Sequence, residues 1–445
     1  MARHNPHSAV RTPHLKRLVP LLLRWFAANA RDLPWRRTCD PYAVWVSEIM
    51  LQQTQVKTVL PYWTRWMREL PAIKAVAKAN PDRIHKLWEG LGYYTRARNL
   101  QKAAQQIMER HGGKFPENFD DVLALPGVGR YTAGAICSIA FNRPTPILDA
   151  NVIRVLTRIF GIGENPKVKE TNARLWELAG ELVHRAALQS SSRRRRRKES
   201  HFNPNSSQSL LTSAPTSSHL NQSLMELGAL VCSTRNPQCH TCPVKRLCIA
   251  FKENRIEELP NLGRRPTTTH RHFVALVVER NGRFLVRQRP ARVVNAHLWE
   301  FPNVEVVTNH CSSGRESAHL YHQKSQSRLT SAATAIQPRI ARAARELGLE
   351  FHQLKPLCRI RHSITRYRIT LDAFYVHLEK PPRKATGVWL TPAQMDRLAF
   401  TAAHKRILAR LHAPKVSGAT PETTRGTRVL HKKLASFAAR RILTG

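Results

Sequence analysis

Four of the eight cysteines of this chain lie in one stretch of seventeen residues, CSTRNPQCHTCPVKRLC (residues 232–248). They are Cys232, Cys239, Cys242 and Cys248, separated by six, two and five residues. Four thiolates in a short loop can surround one metal centre, and both iron-sulfur clusters and structural zinc use such a set. The gaps match neither the paired C-x2-C knuckles of zinc ribbons nor the cysteine runs of ferredoxins. The stretch therefore predicts a four-thiolate metal centre, either an iron-sulfur cluster or structural zinc.

The composition is strongly basic. Lys and Arg number 72 against 30 Asp and Glu, which gives a formal net charge of +42. Because like charges in such excess repel one another unless a polyanion neutralises them, nucleic acid is the expected partner and a membrane surface is the alternative. Arg235, Lys245, Arg246 and Lys252 carry this charge through and beside the cysteine loop. We expect the loop to present positive charge to phosphate groups.

Two features bear on the location of the protein. No apolar run approaches the ~20 residues that span a bilayer, and residues 18–23 are followed at once by Arg24, as in an amphipathic helix. The other cysteines, which are Cys39, Cys137, Cys311 and Cys358, are scattered in a way that suits a reducing compartment. We recognise no export signal, and we expect a cytoplasmic, nucleoid-associated protein that does not bind membranes.

Residues 14–258 are predicted to form an all-α domain that includes the cysteine loop. Apolar residues recur at spacings of three and four in segments 44–56, 97–108, 132–140 and 152–160. From 188 to 222 this pattern gives way to Ser, Arg, Asn and Pro, with five consecutive arginines at 193–197. Such a composition predicts a disordered insertion, after which helical patterning resumes at residues 224–231.

A linker is predicted at 259–269, and the character of the sequence changes after it. Strand-like runs at 273–278 and 284–287 flank Asn281-Gly282, which is a favoured two-residue hairpin turn. Further strands are predicted at 358–363, 366–376 and 388–390, and a helix at 341–347. Residues 270–412 are therefore predicted to form an α+β domain, and 413–445 a basic tail.

Two glycine turns lie in the all-α domain. The first, Leu125-Pro126-Gly127-Val128-Gly129-Arg130, is a helix-hairpin-helix signature. Its glycines let the backbone approach a ligand and leave the N–H groups of the next helix free for a phosphate. A related turn at 87–92 precedes Tyr93-Tyr94. Either turn alone could instead be a helix C-cap.

Two acidic residues are candidates for catalysis. Glu48 lies in a segment that is apolar on nearly every side, and an acid so enclosed has its pKa raised by desolvation, as a proton donor near neutral pH requires. A solvated surface glutamate is the alternative. Asp149 opens the apolar segment 152–159 and could be only the N-cap of that helix.

Across roughly residues 20–250, without the insertion, the chain resembles the MutY adenine DNA glycosylases of the endonuclease III superfamily. The resemblance is carried by segments 47–56, 87–94, 125–135, 148–152 and the cysteine loop. The order of hairpin, aspartate at a helix start and cysteine loop is that of this family, which favours a catalytic Asp149 over a simple cap. The lyase branch carries a nucleophilic lysine just after the hairpin, where this chain has Tyr131. The resemblance therefore implies a monofunctional hydrolase.

The family further implies a monomeric enzyme that removes adenine mispaired with 8-oxoguanine or guanine from duplex DNA, after the nucleotide has left the stack. Glu48 would protonate the adenine ring, and Asp149 would stabilise the positive charge on the sugar, supported by Tyr131 and Asn151. Tyr93 would be the wedge, and Gln53 would enter the stack beside it. The implied DNA-binding residues are Gln52, Gln53, Tyr93, Gly127, Val128, Gly129 and Arg130. The implied cofactor is a [4Fe-4S] cluster on Cys232, Cys239, Cys242 and Cys248.

Residues 270–412 resemble the MutT-like, Nudix-fold domain with which this family recognises 8-oxoguanine, through the segments 298–302 and 345–349. A working hydrolase of this fold needs several glutamates for magnesium. Here the helix offers Ala341-Arg342 and Arg345-Glu346, so we expect no nucleotide hydrolysis. In place of the Phe-Ser-His recognition tip of the family stand Ile364, Thr365 and Arg366.

Two alternatives remain open at this point. A thymine or oxidised-pyrimidine glycosylase could use the same scaffold, although Gln53 and the MutT-like domain favour adenine. A noncatalytic iron-sulfur protein that binds DNA would keep the charge and the cysteines, but it would have no use for the pair Glu48 and Asp149.

Overall fold

The computed structural model describes residues 7–199, 217–263, 267–306, 354–364, 366–380 and 386–412. Within these ranges the regular elements before residue 263 are all helical, and from Thr269 onward strands dominate. The predicted architecture, an all-α domain followed by an α+β domain, is confirmed.

The first domain is built from helices and short 3-10 turns. The helices are α1 (His7–Asn29), α2 (Pro41–Leu51), α3 (Val56–Glu69), α4 (Ile73–Lys78), α5 (Pro81–Trp88), α6 (Thr95–Arg110), α7 (Phe119–Leu123), α8 (Arg130–Ile139), α9 (Ala150–Ile159), α10 (Lys169–Glu199), α11 (Ser217–Leu230) and α12 (Ile249–Lys252). The 3-10 turns are Pro34–Arg36, Cys239–Thr241 and Lys245–Leu247.

These helices pack around two apolar cores. The first core lies among α2 to α8, and its largest members are the fully buried Trp45, Trp66 and Trp88. The second core lies among α1 and α8 to α11, where leucines such as Leu18 and Leu156 are fully buried. Burying each such side chain contributes about 2–3 kcal/mol relative to exposure. The first domain is therefore two lobes, and a cleft can form where they meet.

Helix α2 has a strong start signal. Pro41 occupies its first position, and the carboxylate of Asp40 accepts hydrogen bonds from the backbone N–H groups of Tyr42 (3.1 Å) and Ala43 (3.3 Å). This satisfies two of the N–H groups that have no partner within the helix. The cap fixes where α2 begins, and so which of its side chains face inward.

The prediction of a disordered insertion at 188–222 is wrong for much of its length. Helix α10 continues to Glu199, and α11 begins at Ser217 rather than at residue 224. Arginine is a strong helix former, so a run of arginines does not end a helix. The start of α11 is polar in sequence but buried, because Asn221 Nδ2 donates to Ser138 Oγ (2.7 Å) and to the carbonyl of Thr145 (2.8 Å). Residues 200–216 lie outside the described ranges.

The second domain contains a mixed sheet. Its strands are β1 (Thr269–Arg280), β2 (Arg283–Gln288), β3 (Trp299–Glu300), β4 (Asn303–Val306), β5 (Lys355–Ile364), β6 (Tyr367–His377) and β7 (Val388–Leu390). The strand order is β3-β2-β1-β6-β5, with β4 paired to β1 and β7 to β2. Strand β1 runs parallel to β6, whereas β5 and β6 form an antiparallel hairpin. Among the described strands β5 is therefore an edge.

The hairpin predicted at Asn281-Gly282 joins β1 to β2, and both residues have the positive φ of a type I′ turn (48° and 71°). Two helices follow the sheet, α13 (Pro392–Asp396) and α14 (Ala402–His412). Ile407 of α14 packs with Val277 and Phe301 in the core on one face of the sheet. The predicted helix at 341–347 and the tail at 413–445 lie outside the described residues.

The two domains meet at a joint formed around Glu89. Its Oε1 accepts from the backbone N–H of Phe400 (3.2 Å), and its Oε2 accepts from Lys405 Nζ (2.6 Å) and Lys86 Nζ (3.0 Å). Leu298 and Ala399 of the second domain pack into the first core. The joint thus places the second domain beside the turn at 87–92.

The helices in the described part of the chain include none that is both long and apolar enough to cross a bilayer.

Candidate active site and DNA-contacting surface

A cleft of about 1000 Å³ opens between the two lobes of the first domain. Its lining comes from α2 and the loop after it, from α8, from the start of α9 and from α11. All four predicted catalytic residues line this cleft: Glu48, Asp149, Tyr131 and Asn151. Glu48 is therefore brought to one cavity with residues that follow it by 83 to 103 positions in the sequence.

Glu48 is enclosed, as its apolar sequence neighbours suggested. Its side chain extends from α2, and the residue is 5% exposed. Burial raises the pKa of Glu48 to about 7, and the nearby charge of Asp149 adds to this rise. The Tyr131 hydroxyl donates to Glu48 Oε2 (2.9 Å) and opposes the rise only in part. At neutral pH the carboxyl is close to half protonated, which suits a proton donor.

Asp149 is the N-cap of α9, which the sequence left open as the alternative to a catalytic role. One of its two carboxylate oxygens makes the capping hydrogen bond. Oδ1 accepts from the backbone N–H of Val152 (2.7 Å), while Oδ2 accepts from Asn151 Nδ2 (2.9 Å). Burial raises the pKa of Asp149, and these two hydrogen bonds act in the opposite direction by favouring the ionised form. Capping holds the carboxylate at the mouth of the cleft, and this does not prevent its use in catalysis.

Asn151 is itself held in place. Its Oδ1 accepts from Arg154 Nη2 (2.8 Å), and Arg154 Nε donates to the carbonyl of Cys232 (2.7 Å). A β-carbon on Gly228 of α11 would lie only 2.7 Å from Asn151 Cβ, so glycine is needed there for α11 to approach α9. Polar contacts thus run from Asp149 to the first cysteine of the loop.

Sequence reasoning missed a third carboxylate in the cleft. Glu226 of α11 is 1% exposed and accepts from Arg31 Nε (2.7 Å) and Arg36 Nη2 (2.9 Å). Burial alone would raise the pKa of Glu226, but these hydrogen bonds outweigh it and lower the value to about 2. Glu226 therefore stays ionised and pins the loop before α2. Because its partners lie 195 and 190 positions away, no local pattern could have revealed the contact.

The predicted wedge residues lie together on a second surface. Gln53 and Tyr93 both have left-handed backbone conformations (φ 56° and 48°), and Tyr93 is 46% exposed. Left-handed φ at non-glycine residues is strained and persists only where the surroundings impose it. Both residues, with Gln52 and Gly127, line a pocket of about 200 Å³. The side-chain amide of Gln52 points toward α8, because its Nε2 donates to Thr132 Oγ1 (3.2 Å).

Arg96, which sequence reasoning also missed, holds the two wedge loops together. Its guanidinium donates to the carbonyls of Ile49, Met50 and Gln52 on one side and of Leu91 and Gly92 on the other, at 2.6 to 3.1 Å. It also lies over the Tyr93 ring, 5.6 Å from the centroid. A single buried cation thus sets the spacing between Gln53 and Tyr93.

At one position of the helix-hairpin-helix turn, the backbone requires glycine, as predicted. Gly127 has φ 80°, and a β-carbon there would lie 2.7 Å from Asn99 Cβ. Gly129 is the N-cap of α8 and has no side chain to satisfy the first N–H groups of that helix. Arg130 is exposed and lies over the Trp176 ring, 4.0 Å from the centroid. The side chain of Val128 is buried, and its N–H donates to the carbonyl of Leu125 (3.1 Å).

The four loop cysteines all line one pocket beside α9, and none is in a disulfide. Arg158 Nη1 lies 3.4 Å from Cys232 Sγ and donates to the carbonyl of Ser233 (2.7 Å). The described residues contain no group of three or more His, Cys, Asp or Glu close enough together to hold a metal ion. Four free thiols, a partly apolar lining and an adjacent guanidinium are nevertheless a donor set that fits an anionic iron-sulfur cluster.

The predicted recognition tip is the turn between β5 and β6. Ile364 ends β5, and Arg366 is exposed, with its Nη2 donating to the Tyr367 hydroxyl (3.1 Å) and its guanidinium 5.2 Å from the Tyr367 ring centroid. Thr365 lies outside the described residues.

Comparison with known proteins agrees with this geometry. Residues 46–181 match the HhH-GPD superfamily of base excision DNA repair proteins, and residues 273–410 match the NUDIX domain. The chain is 32% identical over 443 residues to the adenine DNA glycosylase of Rattus norvegicus, covering 87% of this chain and 76% of that protein. It is 36% identical over 337 residues to the adenine DNA glycosylase of Homo sapiens, covering 64% of this chain and 56% of that one.

Among solved structures, a thermostable thymine-DNA glycosylase is 27% identical with a TM-score of 0.45, covering 55% of this chain and 99% of that one. The rat relative decides the family, since it aligns over most of both chains. This chain belongs to the adenine DNA glycosylases, the DNA glycosylases of base excision repair that carry an HhH-GPD domain and a NUDIX domain.

Proposed function

We propose that this adenine DNA glycosylase acts on adenine paired with 8-oxoguanine or guanine, and that it hydrolyses the N-glycosidic bond after the nucleotide has been flipped into the cleft. The observation that carries the proposal is Glu48. A buried acid with a pKa of about 7 shares one cleft with a second carboxylate on a helix cap. A protein that only binds DNA would gain nothing from this arrangement, because enclosing an acid costs stability.

The reaction assigns one role to each acid. Protonated Glu48 donates its proton to the adenine ring, so that the base leaves as a neutral molecule when the bond to the sugar breaks. Ionised Asp149 stabilises the positive charge that develops on the sugar, and water then adds to the anomeric carbon and gives its proton to the Glu48 carboxylate. The Tyr131 hydroxyl orients Glu48, and the Asn151 amide orients Asp149.

We propose that the enzyme is monofunctional. Tyr131 occupies the position of the lyase lysine, and its hydroxyl bonds to Glu48. Lys57, an exposed residue at the start of α3, also lines the cleft. Borohydride reduction during turnover tests the proposal. We expect no covalent adduct with DNA, and an adduct that disappears in Lys57→Gln would make that amine a nucleophile.

Base flipping would leave a gap in the duplex. Tyr93 and Gln53 are placed to fill it, because both are held in strained backbone conformations on an exposed surface. The first N–H groups of α8, with Arg130, would bind the phosphates beside the flipped nucleotide. Gln52 would act within this loop through its contact with Thr132. Val128 would contribute to DNA binding only through its backbone carbonyl or through the packing of its side chain within the turn.

We propose a [4Fe-4S] cluster on Cys232, Cys239, Cys242 and Cys248. Bound there, the cluster would supply charge and cross-linking of the loop. Arg158 would donate to the Cys232 sulfur, and Arg235, Lys245 and Arg246 would face phosphates from the same loop. Iron and acid-labile sulfide in the purified protein test the assignment, and stoichiometric zinc in place of iron would contradict it.

For the second domain, with proposed limits 270–412 after a linker at 259–269, we propose recognition of the base opposite adenine by Ile364, Thr365 and Arg366. We propose no nucleotide hydrolysis, a monomeric state and association with the nucleoid.

A panel of duplexes tests the proposed specificity. Adenine opposite 8-oxoguanine, adenine opposite guanine and thymine opposite guanine are incubated separately with the protein and then treated with alkali. We expect strand breaks at adenine in the first two duplexes and none in the third. Breakage of the thymine strand alone would refute the proposal in favour of a thymine glycosylase.

A further inference from the structure

A second cleft in the NUDIX domain lies between the edge strand β5 and helix α14, away from the active site. It has a volume of about 540 Å³ and is lined by four arginines, Arg359 and Arg361 of β5 and Arg406 and Arg410 of α14. We call it the arginine cleft. The other lining residues are Cys358, Ile360 and Ala409, so among the described residues no carboxylate lines the cleft.

Most of this charge is not neutralised within the protein. Arg359 forms a bidentate pair with Asp372, whose carboxylate is shared with His272 Nε2 (2.7 Å). Arg361, Arg406 and Arg410 are exposed, and in the described part of the chain they have no ion pair. This positive charge acts on a neighbouring residue, because the charge of Arg406 adds to burial in lowering the pKa of His362.

The spacing of these arginines concentrates the charge. Arg406 and Arg410 are four positions apart on α14 and share one face, where like charges repel each other. Arg359 and Arg361 are two positions apart on β5, and they project from the face of the sheet opposite to the one on which Ile360 packs with α14. The four arginines therefore flank the exposed edge of β5 from both faces of the sheet, and none of the described lining residues is an anion. An external polyanion would remove this repulsion.

The position of the cleft selects DNA among the possible polyanions. Strand β5 ends at the tip that is proposed to read the base opposite adenine, and a strand advances about 3.3 Å per residue. Arg361 and Arg359 therefore lie roughly 10 and 17 Å from Ile364 along β5. One DNA strand carries a phosphate about every 3.4 Å along the helix axis. The two arginines are thus within reach of phosphates about three to five nucleotides from the recognised base.

The cleft also communicates with the joint between the domains. Arg406 and Ala409 line a further pocket of about 300 Å³ together with Glu89, Gly90 and Tyr94 of the first domain. That pocket adjoins the turn that presents Tyr93. A backbone bound in the arginine cleft would therefore lie on the same molecule of DNA that the wedge enters.

We propose that the arginine cleft binds the sugar-phosphate backbone of the DNA strand whose base is read at the β5–β6 tip. It is a second backbone site, separate from the helix-hairpin-helix turn, and it extends the footprint of the enzyme along that strand. The proposal rests on the proposed function, since it takes the DNA duplex as the bound substrate. An acidic peptide of another protein is the competing occupant.

The test uses the full-length protein with the paired substitutions Arg406→Gln and Arg410→Gln. The control pair is Arg283→Gln and Lys380→Gln, which removes the same charge from exposed positions at the other end of the sheet. A third protein with Arg406→Lys and Arg410→Lys keeps the charge and reveals any loss caused by misfolding. Binding to a long duplex that holds 8-oxoguanine opposite an uncleavable adenosine analogue is measured at several salt concentrations.

Each phosphate contact contributes about 0.9 to the slope of log Kd against log salt, so the paired Gln variant should lose about 1.8 from that slope. The control pair and the Lys pair should keep the slope of the unmodified protein. Two further duplexes are shortened on one side only, each ending about two base pairs beyond 8-oxoguanine on that side, and on one of them the Gln pair and the unmodified protein should bind equally. An unchanged slope, an equal loss in the control pair, or a difference that persists on both shortened duplexes would overturn the proposal and favour the peptide.

Failure of the proposed function would be distinct from this outcome. The binding assay does not depend on base release. If the salt slope changes as expected but no mispair loses adenine, the arginine cleft binds DNA and the proposed substrate specificity is wrong.

Discussion

Replacing Glu48 by Gln should make the protein more stable, by an amount that depends on pH. The buried carboxyl has a pKa of about 7 instead of its ordinary 4.5, and that difference corresponds to about 3 kcal/mol. The amide has a similar shape, carries no charge and can still accept the hydrogen bond from Tyr131. The substitution therefore removes the cost of burying an ionisable group and leaves the packing nearly unchanged.

The direction of the pH dependence follows from the two states. The unfolded chain releases the Glu48 proton near pH 4.5, whereas the folded protein retains it until about pH 7. Between these values the unfolded state binds fewer protons, so stability falls as pH rises. Below pH 4.5 Glu and Gln proteins should be similar in stability. Above pH 7 the Gln protein should be more stable by about 3 kcal/mol, with roughly half of that gain at pH 5.5 to 6.

Urea unfolding at pH 5.5, 6.5 and 8 measures this difference. Glu109→Gln on the exposed side of α6 is a matched control, which should change the free energy of unfolding by less than about 0.5 kcal/mol at each pH. A stability gain that does not grow between pH 5.5 and 8, or a Gln protein that is less stable at pH 8, would refute the account of Glu48 as an enclosed acid.

Three other substitutions test neighbouring parts of the site. Arg96→Met should cost about 2–3 kcal/mol of stability, because several carbonyls lose a charged donor. It should also reduce the fluorescence signal of a flipped 2-aminopurine, and an unchanged signal would show that Arg96 does not position the wedge. Gly228→Ala should displace Asn151 and slow single-turnover adenine release while DNA affinity is kept; a release rate equal to that of the unmodified protein would show that Asn151 does not need its position. Glu89→Ala should cost about 1–3 kcal/mol of stability, because it leaves the Phe400 N–H and Lys405 without an acceptor. The excision rates for adenine opposite 8-oxoguanine and for adenine opposite guanine should become more similar. An unchanged ratio of the two rates would show that the joint between the domains does not contribute to specificity.

Local sequence was sufficient where a property depends on neighbours in the chain. The apolar surroundings of Glu48 predicted its enclosure, and the position of Asp149 predicted the N-cap that the structure contains. The turn at Asn281-Gly282 and the strands around it were predicted because turn chemistry and alternation are local.

Local sequence was insufficient where distant residues decide. Glu226 resembles any glutamate in a helix until folding brings Arg31 and Arg36 to it. The polar residues Ser217 to Gln222 were assigned to a disordered insertion, but the hydrogen bonds of Asn221 to Ser138 and Thr145 stabilise them inside the protein. The burial of the Val128 side chain also depends on tertiary packing, which its place in the hairpin motif does not indicate.

The most direct test of the central claim is the rate of adenine release in single turnover, measured across pH on a duplex with adenine opposite 8-oxoguanine. If protonated Glu48 is the donor, the rate should be level just below about pH 7, fall about tenfold per pH unit above it, and fall again at acidic pH, where Asp149 becomes protonated. Glu48→Gln should be slower by about 10²–10⁴ with duplex affinity retained. A rate that stays level from pH 6 to 9 in the unmodified protein, or a Gln variant that releases adenine at the same rate, would contradict the account.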